Sequence, residues 1–251
     1  MKAIEVCLTP SAYDKRELVG KHSAVAVDIL RATTAVCAAF WAGARSIVPL
    51  TELSDLERYR DGRYLLAAER GGQKVEGATC GNSPTEYLTM SLEGKDLAYS
   101  TTNGTRAILT AKDADVTLVG AFANISKVIK LLTEREQDVV IVCSGWEGAP
   151  CLEDTLFAGE LAKRLLDSGA FYALNDSAMM ATDLFEATIV TNDNCSGSVS
   201  DRLFRYCAKA THVHRLERFG AQADIAFAFQ HDSCPIVPYL NHSDNTLYPL
   251  S

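Results

Sequence analysis

No stretch of the 251 residues is apolar for long enough to cross a bilayer, and the opening MKAIEVCLTP lacks the apolar core of a secretory signal. There is no run of lysine or arginine to meet nucleic acid, and a net charge of −8, from 32 acidic and 24 basic residues, argues the same way. None of the eight cysteines forms a Cys-x-x-Cys pair, so without an export signal they read as reduced thiols rather than a disulfide framework or zinc site. Neither a Gly-x-x-x-x-Gly-Lys-Ser/Thr loop nor a Gly-x-Gly-x-x-Gly is present, which removes support for the nucleotide folds built on them. Internal repeats and low-complexity tracts are also missing. These absences leave an acidic protein expected in the cytoplasm. Its expected partner is a small molecule, not nucleic acid or membrane, and a homo-oligomer is only the general expectation.

Composition is ordinary for a globular protein, with 47% hydrophobic and 22% charged residues. The length suits a single compact unit over 1–251, with a subdivision into two lobes somewhere near 120–170. The organising stretch is Ser23 to Ala44, SAVAVDILRATTAVCAAFWAGA. Its run Ala24 to Val27 is short, apolar and rich in small and β-branched residues, as in a strand buried on both faces. Asp28 stands at the end of that run, followed by Arg31, Thr33, Thr34 and an Ala-rich segment suited to a packed helix. Further strands are expected at 4–8, 46–50, 63–68, 96–100, 116–119 and 138–143. Helices are expected at 52–60, from Ser83, up to about Arg135 and over 152–166. Ser83-Pro84-Thr85-Glu86 offers an N-cap, a proline in the first turn and a glutamate three residues after the cap. This alternation predicts an α/β protein with a largely parallel sheet and flanking helices, two packed α/β parts and a more helical C-terminal third. In that third, helices are expected at 176–186, 200–210 and 215–229 with a turn at 196–198. Residues 234–240 read as an edge strand, because Pro235 and Pro238 cannot donate to a ladder.

Polar residues recur where the strands end, and open parallel sheets bind ligands beyond those ends. The set comprises Asp28 and Arg31; Glu69 and Arg70; Thr101, Thr102, Asn103, Gly104, Thr105 and Arg106; and Glu147, Glu153 and Asp154. Carboxylates on several loops suit a hard cation such as Mg2+, and arginines on the same rim suit phosphate or sulfonate oxygens. Each feature also has a purely structural explanation. Asp28 and Arg31 can pair with each other, a threonine can cap the helix, Asn103-Gly104 can be a turn, and acidic residues at 153–154 complement a helix dipole. Repetition on successive strand ends favours a site. The five histidines lie outside these motifs; His212 and His214 lack a third metal ligand nearby and are expected at the surface. Cys80 or Cys143 would need a paired base to act as a nucleophile, and none is evident.

Five motifs in order, VDILRATT at 27–34, AERGG at 68–72, GNSPTEY at 81–87, TTNGTRA at 101–107 and LEDTLFAG at 152–159, resemble the 2-phosphosulfolactate phosphatase family. The resemblance implies a fold of two packed α/β parts and a Mg2+-dependent phosphomonoester hydrolase. That activity converts 2-phospho-3-sulfolactate and water to 3-sulfolactate and phosphate, a step towards coenzyme M. Carried over, it makes Asp28, Arg31, Glu69, Arg70, Asn103, Gly104, Thr105, Arg106, Glu153 and Asp154 active-site candidates. From the chemistry of phosphoryl transfer, Asp28, Glu69 and Asp154 are expected to be catalytic and to gather Mg2+. Arg31, Arg70, Thr102, Asn103, Gly104, Thr105, Arg106 and Glu153 are expected to bind substrate. Attack by an activated water and covalent catalysis by Asp28 both stay open. The haloacid-dehalogenase pattern fits less well, since Leu30 stands where a second aspartate belongs. Residues 146–151 depart from the more polar, glycine-rich segment expected there. Glu147 would repel a dianionic substrate tail, so a phosphatase of another phosphorylated hydroxy acid and a non-catalytic anion-binding protein remain as alternatives.

Overall fold

The computed structural model describes residues 1–190 and 197–250. Along the chain run β1 (Lys2–Cys7), α1 (Pro10–Tyr13), β2 (His22–Val27), α2 (Ala32–Trp41), β3 (Ser46–Leu50), β4 (Tyr64–Arg70), β5 (Gln73–Lys74), α3 (Pro84–Thr89), β6 (Asp96–Ser100), α4 (Gly104–Thr110), β7 (Val116–Gly120), α5 (Ile125–Arg135), β8 (Asp138–Cys143) and α6 (Leu152–Asp167). Then follow β9 (Phe171–Ala173), α7 (Asp176–Val190), α8 (Val199–Cys207), α9 (Thr211–Arg218), α10 (Gln222–Ala228), β10 (Val237–Asn241) and β11 (Thr246–Leu250). The helix expected at 52–60 is present over Leu53–Tyr59 as a 3-10 helix. The α/β class and the strand-helix alternation of the first two-thirds are as the sequence predicts.

All strands join one 11-stranded sheet in the order β5-β4-β6-β3-β11-β10-β7-β2-β8-β1-β9. The sheet contains two parallel blocks. One is β9-β1-β8-β2-β7 and the other is β3-β6-β4. The C-terminal hairpin β10–β11 lies between them, antiparallel to β7 on one side and to β3 on the other. Three successive antiparallel pairings reverse the strand direction, so the two blocks run oppositely, and in a flat sheet their carboxyl ends would point to opposite edges. Sheet twist of roughly 20–25° per strand accumulates to about 100–125° over the five steps from β2 to β6. That turn swings the carboxyl ends of the blocks towards each other.

The centre of the molecule follows from composition. Every residue of β2 is buried, as a strand with neighbours on both sides and helices on both faces requires. α2 is buried from Ala32 to Phe40, and its alanines let the helix sit close to the sheet. Its first amide, Ala32 N, donates to Asp28 Oδ1 at 3.1 Å. The expected threonine cap is therefore replaced by the carboxylate at the strand end, while Thr33 Oγ1 is occupied with the Asp28 backbone. Ser83 caps α3 as expected, accepting from Glu86 N at 3.1 Å.

Three expectations for the C-terminal third are corrected. The segment 215–229 is not one helix, because Gly220, at φ +76°, turns the chain between α9 and α10. β10 is an interior strand, not an edge strand. Its Pro238 faces Pro249 of β11, and such a pair is tolerated at a position where neither residue exchanges ladder hydrogen bonds. The pairing with β7 involves only Tyr239 and Leu240, beyond the proline. The strands β9 and β11 are additions to the expected set. Of the expected turn at 196–198, Ser196 lies outside the described residues, as does Cys195. The other seven cysteines are free thiols.

Candidate active site

Both blocks contribute to one cavity. It is lined by Asp28, Leu30 and Arg31 after β2, by Glu69, Gly71 and Gly72 around the end of β4, and by Asn82, Thr102 and Asn103. Trp146 and Glu147 after β8, with His212, Arg215 and Leu216 of α9, close it. Its volume of about 70 Å3 is far below the roughly 300–1,000 Å3 of sites for drug-sized ligands. The space suits a small polar group.

Asp28 and Glu69 are nearly buried, at 6% exposure each. Burial raises the Asp28 carboxyl above the usual carboxylate range, opposed in part by the Ala32 amide. The Glu69 carboxylate accepts from Gly72 N and, at 3.2 Å, from Thr102 Oγ1, which ties the β4–β5 turn to the loop after β6. Gly104 is required by close approach. A Cβ there would stand 2.1 Å from Ala32 Cβ and 2.7 Å from Asp28 Oδ2. Bare backbone thus brings the start of α4 against Asp28.

Asp154 belongs to the same region but does not line the cavity. Its Oδ1 accepts from Ile29 N at 2.9 Å, and its Oδ2 from Ser144 Oγ at 2.9 Å and Gly145 N at 3.1 Å. It clamps the loops after β2 and β8 together from behind. Burial raises its carboxyl, and the neighbouring Asp28 raises it further.

The arginines separate. Arg31 lines the cavity, but it does not pair with Asp28. Its Nη1 meets Asp224 Oδ2 of α10 at 2.7 Å, and its Nη2 donates to Gly72 O at 2.8 Å. Asp224 also accepts from Ser83 Oγ at 2.7 Å and Thr85 Oγ1 at 2.6 Å, so a buried polar knot fixes the guanidinium. Arg70 turns away to Glu69 O, Thr51 O and Ser100 Oγ. Arg106 is exposed and lines a separate hollow with Thr9, Ser11 and Asp14, of which Asn103 is also a wall. Thr105 is buried, and its hydroxyl donates to Thr101 O. Thr102 and Asn103 remain at the cavity.

His212, expected at the surface, is a cavity residue. Its side chain is 13% exposed, and its Nδ1 lies 2.7 Å from Glu153 Oε1. Its ring stacks on Trp146 with centroids 5.4 Å apart and planes 10° apart. Burial pulls the imidazole down, but the Glu153 hydrogen bond and the charges of Glu153, Asp28 and Asp154 outweigh it and raise the group. Glu153, expected to touch substrate, instead lies behind the histidine at 1% exposure. His214 is exposed on α9. At the mouth, Arg215 pairs with Glu147 at 3.1 Å and its guanidinium lies 5.7 Å from the Trp146 ring centre. The Trp146 turn depends on Gly145, at φ +59°, where a Cβ would meet Ala149 O at 2.3 Å. The sequence reading assigned His212 to the surface and gave Arg215 and Asp224 no role, because the strand-end rule does not reach residues delivered by later helices; Asn82 and Trp146 lie in segments it considered without being singled out as site residues.

Among the described residues, no group of three or more His, Cys, Asp or Glu side chains is gathered to hold a metal by itself. Magnesium does not demand such a cage, since it is commonly held by one or two carboxylates together with waters and substrate phosphate. Asp28 and Glu69 on one small polar cavity meet that requirement.

A model of the 2-phosphosulpholactate phosphatase family matches residues 7–243. Proteins named probable 2-phosphosulfolactate phosphatase are similar over nearly the whole chain. The one from Caldanaerobacter subterraneus subsp. tengcongensis is 32% identical over 238 residues, covering 93% of both chains. That from a Picosynechococcus is 36% identical over 235 residues, covering 92% of both. A Synechococcus protein is 38% identical over 226 residues, covering 86% of this chain and 88% of its own. With this coverage at both ends of the comparison, the chain belongs to the 2-phosphosulfolactate phosphatase family.

Proposed function

We propose that the protein is a Mg2+-dependent phosphomonoesterase that hydrolyses 2-phospho-3-sulfolactate to 3-sulfolactate and phosphate, in the cytoplasm and on the route to coenzyme M. The observation that carries this reading is the cavity itself. Two nearly buried carboxylates, Asp28 and Glu69, and a fixed guanidinium, Arg31, converge on one small polar cavity. Family membership supplies the substrate class. No helix among the described residues is long and apolar enough to cross a membrane.

Asp28 and Glu69 would hold the metal, with Asp154 fixing the backbone on which Asp28 stands. Magnesium, when bound, supplies charge neutralisation at the phosphoryl oxygens. Arg31 orients the phosphoryl group, and its anchors on Asp224 and Gly72 O hold the guanidinium in place without reorganisation. Thr102 and Asn103 add polar contacts from the loop after β6. Because a phosphate ester carries its charge on the transferred group, positioning and charge balance supply most of the catalysis.

The test is release of inorganic phosphate from 2-phospho-3-sulfolactate, with Mg2+ and with EDTA, beside phospholactate and 3-phosphoglycerate. Release confined to the sulfonate and abolished by EDTA is expected. Release from the carboxylate esters alone would retain the phosphatase and replace the substrate; no release from any folded, Mg2+-supplied sample would favour an anion-binding protein.

A further inference from the structure

We infer that His212 is the general acid of the reaction, donating a proton from Nε2 to the ester oxygen as it leaves, with Glu153 as its positioning residue. The inference rests on the phosphomonoesterase reading above and assigns a role that the strand-end residues cannot fill. Phosphate monoesters of hydroxy acids leave as alkoxides, which are poor leaving groups unless protonated. On that reading Asp28 and Glu69 hold the metal and are therefore ionised acceptors, and Arg31 does not give up its proton.

The geometry around His212 is that of an oriented acid. The imidazole sits between two spaces. One is the cavity, which Glu153 does not line; the other is an outer hollow walled by Trp146, Pro150, Cys151, Glu153 and Lys209. Nδ1 is engaged at 2.7 Å by Glu153, a wall of the outer hollow and not of the cavity, which leaves Nε2 as the ring nitrogen available to the cavity. Nε2 has no hydrogen-bond partner among the described residues. The Trp146 face, nearly parallel to the ring, prevents it from swinging out of line. Glu153 is itself held by the start of α6, and its Oε2 is buried without a partner among the described residues. A carboxylate in that condition interacts strongly with a charged imidazolium, because little else neutralises it. The raised imidazole described above follows from the same arrangement.

The step balances without another reactant. The oxygen of water bonds to phosphorus as the ester P–O bond breaks, and the electron pair of that bond passes to the ester oxygen. That oxygen takes the Nε2 proton and leaves as the hydroxy acid. The proton released by the attacking water restores the imidazolium, and the other product is hydrogen phosphate.

The experiment compares two substrates that differ in one atom: 2-phospho-3-sulfolactate and its analogue with sulfur at the bridging position. The first leaves as an alkoxide and needs the proton. The second leaves as a thiolate, whose ordinary pKa of about 8.5 lets it depart unprotonated. In His212→Gln, kcat on the oxygen ester is expected to fall by roughly 10²–10⁴-fold, while kcat on the sulfur analogue falls less than about tenfold. Glu153→Gln should give the same selectivity with a smaller loss, a pattern that a merely structural role would not produce. It also carries the test if His212→Gln does not fold. Equal losses on both esters, or no loss on either, would overturn the assignment while leaving the phosphatase intact. A folded wild-type protein inactive on both esters and on the carboxylate esters, with Mg2+ supplied, would instead remove the phosphatase reading and this proposal with it.

Discussion

The cavity has two walls made in different ways. The sheet wall consists of Asp28, Glu69, Thr102 and Asn103, each within a few residues of a strand end, the first three with side chains tied to backbone of their own or a neighbouring loop. The helical wall consists of His212, Arg215 and, behind Arg31, Asp224, all delivered by the short helices α9 and α10. The first wall is rigid by construction, since buried strands and backbone hydrogen bonds fix it. The second depends on side-chain partners across long sequence separations, Arg31 with Asp224 and His212 with Glu153. Under the proposed function the contrast becomes a division of labour in which the sheet would hold the metal and phosphoryl group, and the helices hold the guanidinium and the imidazole in line.

Glu69→Gln tests the sheet wall and carries the largest expected effect. Glutamine retains an oxygen for Gly72 N and Thr102 Oγ1, so the fold is expected to survive with little change in melting temperature. Loss of the negative charge should reduce Mg2+-dependent phosphate release by at least roughly 100-fold, the upper end of what removal of even an outer-sphere metal partner costs. A magnesium titration of phosphate release checks it; full activity at ordinary Mg2+ would remove Glu69 from the metal site.

This division also explains what could be read in the sequence. β2, β4, β6 and β8 are visible as short buried runs, so Asp28 and Glu69 can be placed at strand ends without a structure. Asp154 was equally conspicuous, yet only the fold reveals that Ile29 N, Ser144 Oγ and Gly145 N occupy both its oxygens. Arg70 and Arg106 have the right chemistry beside the right motifs, and their direction depends on rotamers that no pattern encodes. His212 lay furthest from view. It sits in a short polar helix of the C-terminal third, in which only Val213 and Leu216 are buried, and its importance comes from contact with Glu153, 59 residues earlier. The interior position of β10 was hidden because proline statistics describe an average strand, whereas Pro238 and Pro249 face each other at a pair that needs no donor.

Asp224→Ala tests the helical wall, with an effect expected to appear first in stability. It strips Arg31 of its buried partner, with both side chains under 10% exposed, and leaves Ser83 and Thr85 without their shared acceptor. Removing one member of a buried pair costs about 3–5 kcal/mol. Denaturant unfolding should register that loss. Phosphate release at a temperature where the variant is folded should show a raised KM, as Arg31 is no longer held in line. Asp224→Asn, which keeps an acceptor for the hydroxyls, should recover part of both.

The mildest change, Glu147→Gln, separates the mouth of the cavity from both walls. Glu147 is exposed and its pair with Arg215 is a surface pair, so stability should move by less than about 1 kcal/mol. Its charge nevertheless stands where an anionic substrate enters. At about 8 Å in water-like surroundings, two like unit charges repel by about 0.5 kcal/mol, a factor of two to three in affinity. Neutralising Glu147 also frees Arg215 to face the substrate, which acts in the same direction. KM for 2-phospho-3-sulfolactate should therefore fall two- to threefold at low salt, and the difference should shrink as added salt screens the mouth. kcat should stay constant, because neither the sheet-borne carboxylates nor the His212 dyad is touched. A rise in KM instead would mean that Glu147 serves mainly to hold Arg215 in a productive position, and the mouth would then belong with the helical wall.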